Sequence, residues 1–464
     1  MGNCVRFFDD TSFEEIDRFD LEPFEMILSL TSTELKIVNE TNISESDTQM
    51  ETQTGRGGNS SDPKKDESRP FIVVGTAYNF PDEDEPTKGR ILVIQFSTSG
   101  RSESAVNGAS ALSRKAIQVA ERQVTGGVFS ICAFYGGTIL STINSKTRLF
   151  KLVNDDPGIR DVFHLEPVGK GHHGHIMSLF VKSLVSPTNA NVSPLDETSR
   201  IAIVGDIMRS ISVIQHFPEF NTLEEIARDY NQNWTTAIEM LSNDVFLGAE
   251  NFQNLFVLRR NTKSSSMEVR TRLDTVGVYH IGEMLNKFKN GSLRMPSSQS
   301  SAVEDQSQID CTNDEKMSLA QKLAVNVCNE TLYGTVDGTV GSVMGLDVRT
   351  ATFFSAVERA MARTIPPVGN LKHSEFRAFR GEKRKQPSRG FVDGDLVESF
   401  MDLDRNTMEE VVNSMNKEGR WDVDEYYAVE ENEDMRDESF APTLDRDLTV
   451  NDVIAMVEEI SMLH

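Results

Sequence analysis

Ile201-Ala-Ile-Val-Gly205-Asp206 and Ser210-Ile-Ser-Val-Ile-Gln215 stand side by side near the middle of the chain. Each is a short, β-branched run closed by Gly, Asp or Ser, the form of a strand. The theme returns at residues 235–241, in Val245-Phe-Leu-Gly248-Ala and in Asn254-Leu-Phe-Val-Leu258. Gly205 and Gly248 hold equivalent places 43 residues apart. Several strands recurring at about 40–45 residues mark the blades of a β-propeller. Between the two copies, residues 223–230 read as a connector, helical or extended, that leads into Asn233-Trp234.

The pattern extends in both directions. Phe71-Ile-Val-Val-Gly75 and Leu332-Tyr-Gly334 repeat the glycine-closed strand, and Leu140 takes the same place in residues 138–143. Gly75, Leu140, Gly205, Gly248 and Gly334 thus mark the second strands of about five blades. Further strands are expected at residues 24–30, 89–96, 126–134, 147–153, 175–181, 276–284, 291–295 and 339–346. Residues 5–8 and 13–19 read as the end of another, incomplete blade. Polar, Ser- and Asp-rich stretches at about 39–68 and 297–316 read as disordered insertions, because they hold too few apolar residues to order themselves. Residues 1–346 are therefore expected to be a β-propeller of WD40-like blades.

After Arg349 the period changes to that of a helix, with Phe354, Val357, Ala360 and Met361 on one stripe before Pro366-Pro367. Thr407-Met-Glu-Glu410 and Thr449-Val-Asn-Asp452 read as capping boxes. The last helix aligns Val453, Met456, Val457, Ile460 and Leu463. Residues 347–464 are thus a small α-helical C-terminal domain, with an acidic linker at 421–445.

The net charge is −25, from 72 acidic and 47 basic residues. That field opposes phosphate backbones, so nucleic acid is expected only through partners. Apolar runs are too short for a membrane span and nothing at Met1 has the form of a secretory leader. Four cysteines without a C-x-x-C pair give neither a zinc site nor a disulfide framework, which suits a reducing compartment. Asp82-Glu-Asp-Glu85 reads as a solvated loop. Asp402-Leu-Asp404 begins like a calcium loop but lacks its Gly and closing Glu. His172-His173-Gly-His175 lacks companion ligands at metal spacing. Arg380–Arg389, with Lys383-Arg-Lys385, reads as an exposed basic loop or a nuclear-import patch. No phosphate loop, nucleophile elbow or nucleophile–base pair is present, so no catalytic residue, cofactor or metal is expected and the chain reads as a non-enzyme.

Val204-Gly-Asp-Ile-Met-Arg209, Glu225-Ile-Ala-Arg228-Asp229-Tyr-Asn231-Gln-Asn233-Trp234 and Phe246-Leu-Gly248-Ala-Glu250-Asn251 are long and specific motifs. In them the chain resembles the C-terminal third of the large damaged-DNA-binding subunit, of the polyadenylation-specificity-factor A-subunit superfamily. The likeness runs from about Phe24 to His464 and includes Gly390–Phe400. It implies a seven-bladed third propeller, N-terminally incomplete here, and a helical closing domain. It also implies a nuclear (and cytoplasmic) scaffold of cullin–RING ubiquitin ligases serving DNA repair. The alternative is an RNA-processing subunit, in polyadenylation or splicing. The cullin meets the family's middle propeller, which this chain does not contain, so the likeness gives no ground for cullin binding here. Substrate receptors dock between propellers. The matching residues are Phe129, Ser130, Ile176, Leu179, Phe180, Arg209, Arg228, Trp234, Asn251, Asn286 and Val336, a mix of Trp, Arg and apolar anchors suited to an interface. Met284 and Lys287 depart from the family's Phe and Val. The structural alternatives are that Ile176, Leu179 and Val336 are core, and that Arg209 and Arg228 merely pair with Asp206 or Asp229.

Overall fold

The computed structural model describes residues 2–39, 68–98, 114–154, 163–185, 200–292, 327–382, 384–418 and 448–462. The chain is mainly β and builds successive antiparallel sheets, a partial propeller. It forms two compact units. One holds Met1–Phe246 with Arg259–Asp274, the other Leu247–Leu258 with Thr275–His464.

In the first unit, three four-stranded sheets follow in chain order. Sheet A is Glu25–Asn39, Ser68–Tyr78, Gly89–Thr98 and Arg114–Val124. Sheet B is Val128–Phe134, Thr138–Ile143, Lys146–Asn154 and Phe163–His173. Sheet C is Ser178–Ser183, Ile201–Asp206, Ile211–Phe217 and Thr222–Arg228. Each is an up-and-down meander with consecutive strands paired antiparallel. Two parallel contacts, Ile37 with Leu152 and Lys170 with Thr222, stitch A to B and B to C. A hairpin of Cys4–Phe8 and Glu15–Asp20 precedes them and packs Val5 and Phe7 on Val74, Leu92 and Ile94.

Gly75, Leu140 and Gly205 lie in the second strands of A, B and C. Those second strands are nearly wholly buried, because both of their faces meet neighbouring sheets. Phe71, Phe150, Phe163 and Val128 fill the layer between A and B. Phe134, Leu149, Val204 and Ile214 fill that between B and C.

Gly248 lies in Val245–Glu250, followed by Asn254–Arg260 and Leu273–His280, strands of which residues 247–258 and 275–280 belong to the second unit. A three-stranded sheet of Leu285–Asn290, Val327–Thr335 and Val340–Leu346 carries Gly334 in its middle strand. The helices Val348–Thr364, Arg405–Glu418 and Val450–Ser461 share one core, with Phe353, Val357, Met361, Val411, Met415, Val453, Met456 and Val457 buried together.

Two local expectations are corrected. Residues 223–230 are not a connector, since Thr222–Arg228 is the fourth strand of sheet C. A strand is present at Leu285–Asn290, where Leu285 and Phe288 are the buried anchors and Gly291 ends it at φ 128°, while residues 293–295 of the strand expected at 291–295 lie outside the described residues. The helix at Arg405 is capped by Asp404, whose carboxylate accepts the N–H groups of Asn406 and Thr407 at 3.2 and 3.3 Å. Thr407 lies inside that first turn and donates its own hydroxyl to Asp404. At the last helix the Thr449–Asp452 capping box is present. Part of the basic stretch is a short hairpin, Phe379–Arg380 with Lys385–Gln386. The insertion at 297–316, the interior of the one at 39–68, the linker at 421–445, Lys383 and Leu463 lie outside the described residues.

Candidate functional site

An up-and-down sheet sends its turns alternately to its two ends. The entry to the first strand, the turn between strands two and three, and the exit from the fourth all fall at one end. In sheet C these are residues 174–177, 207–210 and 229–234. Ile176, Arg209 and Trp234 come from these three segments, and Arg228 is the last residue of the fourth strand.

Asp206 holds the end together. Its buried carboxylate accepts the N–H groups of Ile176 (2.6 Å), Met177 (3.2 Å), Met208 (2.9 Å) and Arg209 (3.0 Å). Its carbonyl accepts the hydroxyl of Thr235 at 2.6 Å. Asp229 does the same for the exit segment, accepting from Ser210 Oγ (2.6 Å), Asn231 N–H (3.0 Å) and Asn233 Nδ2 (3.2 Å). Ser210 sits at φ 58°, a left-handed conformation that these bonds pin in place. Both aspartates are therefore engaged by turn groups. The Arg209 guanidinium donates to the Gly174 carbonyl instead, and Arg228 pairs with Glu225 at 2.5 Å.

On this scaffold the outward residues are large and apolar or cationic. Ile176 is 53% exposed, Met208 41%, Tyr230 69% and Trp234 46%. Arg209 is exposed among them and Arg228 is half-buried. Beneath Arg228, the His172 and His175 rings meet edge to face at 5.2 Å. Burial, then the neighbouring His172, pushes His175 down to about 4, so it is neutral near pH 7. Burial likewise lowers His172, 3.7 Å from Glu225. The two neutral rings pack against each other at the entry to the first strand.

Phe129, Ser130, Leu179 and Phe180 are half-buried on the first strands of sheets B and C. They lie toward the same strand ends but do not join the turn cluster. Asn251, Asn286 and Val336 belong to the second unit, where Asn251 and Val336 occupy turns and Asn286 is exposed on a strand. Sequence reasoning passed over Met208 and Tyr230. Their signal is position, since Met208 lies two residues after Asp206 and Tyr230 directly follows Asp229, the aspartates that close these turns.

The recurring four-stranded meander, with a buried second strand that carries a glycine in sheets A and C, defines a propeller-type β protein. The chain belongs to the family described as the CPSF A subunit region, which it matches over residues 2–402. It is 34% identical over 417 residues to "DNA damage-binding protein 1a" of Arabidopsis thaliana, covering 89% of this chain and 30% of that protein. It is 34% identical over 415 residues to "DNA damage-binding protein 1" of Solanum lycopersicum, with the same coverage. For the protein of that name in Oryza sativa subsp. japonica the figures are 34% over 352 residues, 75% of this chain and 27% of the relative. The chain thus spans about 30% of the length of the curated relatives it matches. Among the described residues no helix is long and apolar enough to cross a membrane.

Proposed function

We propose that the chain is a protein-binding scaffold, not a catalyst, and that the strand-end cluster of sheet C is a docking face for a partner segment. The observation that carries this reading is the joint exposure of Ile176, Met208, Tyr230 and Trp234 beside Arg209 on turns fixed from below. Exposed aromatic and apolar side chains rimmed by a cation, on loops pinned to a rigid sheet, are what a docking site requires. Phe129, Ser130, Leu179, Phe180 and Arg228 support the face in the same unit. Asn251, Asn286 and Val336, in the second unit, are proposed as partner contacts in their own right.

The relatives' names point the proposal toward DNA damage, and the motif resemblance around Arg209, Arg228 and Trp234 extends it to a ubiquitin-ligase adaptor that gathers substrate receptors in the nucleus. The resemblance to the polyadenylation-specificity-factor A subunit keeps the RNA-processing reading as the alternative. Residues 1–346 as propeller and 347–464 as helical domain are proposed as its working division. Affinity capture on wild-type chain, Trp234→Ala and Arg209→Ala separates the readings. Receptor propellers and ligase subunits, lost in both variants, are the expected result. Recovery of 3′-end or spliceosomal proteins supports the alternative, and identical recovery by all three chains overturns the docking face.

A further inference from the structure

The third strand of sheet B, Lys146–Asn154, places Lys146 and Arg148 on one side by simple alternation, with Thr147 and Leu149 buried on the other. Across from them the last strand of sheet A, Arg114–Val124, brings up Arg122. The two strands wall a pocket of about 180 Å³, which Thr125 and the apolar side chains of Val124 and Ile143 help to line.

Arg122, Lys146 and Arg148 all line this pocket, and among the described residues no carboxylate does. Among the described residues none of the three has an ion-pair partner. Glu121, the neighbour of Arg122, turns away to Arg90 at 3.1 Å. In a protein of net charge −25, a concavity with three cations and no counter-charge in its lining is the reverse of the prevailing field. His173, opposite Lys146 in register, senses the same potential. Its imidazole is held below its ordinary value by burial and then by Lys146, Arg148 and Lys170.

We infer that this pocket binds a phosphate monoester. Two guanidinium forks from different strands suit a tetrahedral dianion, which each can grip bidentately, while Lys146 supplies a point charge. The Thr125 hydroxyl can donate to a remaining oxygen, and Val124 with Ile143 offers a floor for the carbon chain that bears the phosphate. The pocket is bounded, unlike the long basic stripe that a nucleic-acid backbone needs. The inference is independent of the docking face on sheet C.

The test is calorimetric titration of the full chain at matched ionic strength with three probes: inorganic phosphate, O-phosphoserine and inositol hexakisphosphate. Saturable binding is expected, weakened at least tenfold in Arg122→Gln and in Arg148→Gln, which remove the charge and keep a polar side chain. Lys263→Glu lies on an exposed loop outside the pocket and should bind as wild type does. Melting curves run on the same samples should show ligand-induced stabilisation of wild type that both glutamine variants lose. Tightest binding of phosphoserine identifies a modified side chain as the source, and tightest binding of the inositol phosphate a soluble polyphosphate. Absence of saturable binding by all three probes overturns the inference. So does an equal loss in Lys263→Glu, which would mark a net-charge effect, or undiminished binding by folded Arg122→Gln and Arg148→Gln.

Discussion

Asp206 accepts the backbone N–H of Ile176 at 2.6 Å, joining the turn after the second strand of sheet C to the segment that enters its first strand. The same carboxylate holds Met177, Met208 and Arg209, so one buried side chain sets two of the three turns of the candidate face. Asp206→Ala should leave all four of these N–H groups without their acceptor. Removal of a buried hydrogen-bond hub costs about 3 kcal/mol. Urea unfolding of the variant should show a lower midpoint at constant slope, and partner capture should fall with it. An unchanged midpoint refutes the role of Asp206.

Trp234 makes the opposite prediction. It directly precedes the strand Thr235–Met240 and is 46% exposed, so nearly half of it is open to solvent rather than packed in the core. Trp234→Ala should change stability by no more than about 1 kcal/mol. The same truncation at a docking anchor lowers affinity by about 2–4 kcal/mol, thirtyfold or more. Melting and binding measured on one preparation decide the matter. A large drop in melting temperature would make Trp234 a core residue and sink its assignment as an anchor.

The blades are legible in the sequence because a strand buried on both faces must be a continuous β-branched or aromatic run. Residues 71–75, 201–205 and 245–249 are such runs, and the glycine in each recurs in the fold. The half-exposed fourth strand Thr222–Arg228 is harder to read, since Glu224 and Glu225 interrupt it and mimic a helix surface. At the candidate site the exposed Arg and Trp positions can be named from sequence, but the groups that hold them cannot. Asp206 reaches back 30 residues to Ile176, and no local pattern records that contact. Helix entry at Asp404 is ambiguous for a simpler reason. Asp404 and Thr407 are both good caps three residues apart, and only the backbone decides between them.

Gly205 and Gly248 occupy equivalent strand positions yet should differ sharply in tolerance. A Cβ on Gly205 would meet Ile238 at 3.0 Å and Phe180 at 3.2 Å, contacts that a small side-chain shift relieves. A Cβ on Gly248 would run into the ring of Phe256, which is fully buried and has nowhere to move. Overpacking of this kind costs about 1–3 kcal/mol. Gly248→Ala is expected at the top of that range or beyond it, and Gly205→Ala at the bottom. Chemical denaturation of both variants checks the order, and equal losses would show that the Phe256 ring yields.

A cluster in the second unit should give stability a two-limbed pH profile. Glu358, on the helix Val348–Thr364, lies 3.9 Å from His373, which in turn contacts Asp393 at 2.7 Å. Arg377 also grips Asp393, at 2.6 Å. Burial raises Glu358 from 4.5 to about 7, against the pull of His373, while the Asp393 charge adds to the rise. The folded state therefore favours the protonated carboxyl. Its contribution is fully present below pH 4.5 and is lost as the pH climbs through 7. Asp393 behaves oppositely. Burial opposes its charge, but His373 and Arg377 outweigh burial and hold it at about 2. Its contribution is present above its ordinary value of 3.8 and disappears as the pH falls toward 2. Glu358→Gln should thus flatten the decline between pH 4.5 and 7 and leave the acid limb intact. Above pH 7 the variant should exceed wild type by about 3 kcal/mol, since a tenfold change in proton affinity is worth about 1.4 kcal/mol. Urea unfolding followed by the helical circular-dichroism signal from about pH 3 to 8 reads both limbs. Parallel curves for wild type and Glu358→Gln between pH 4.5 and 7 would show that the buried Glu358 does not titrate there.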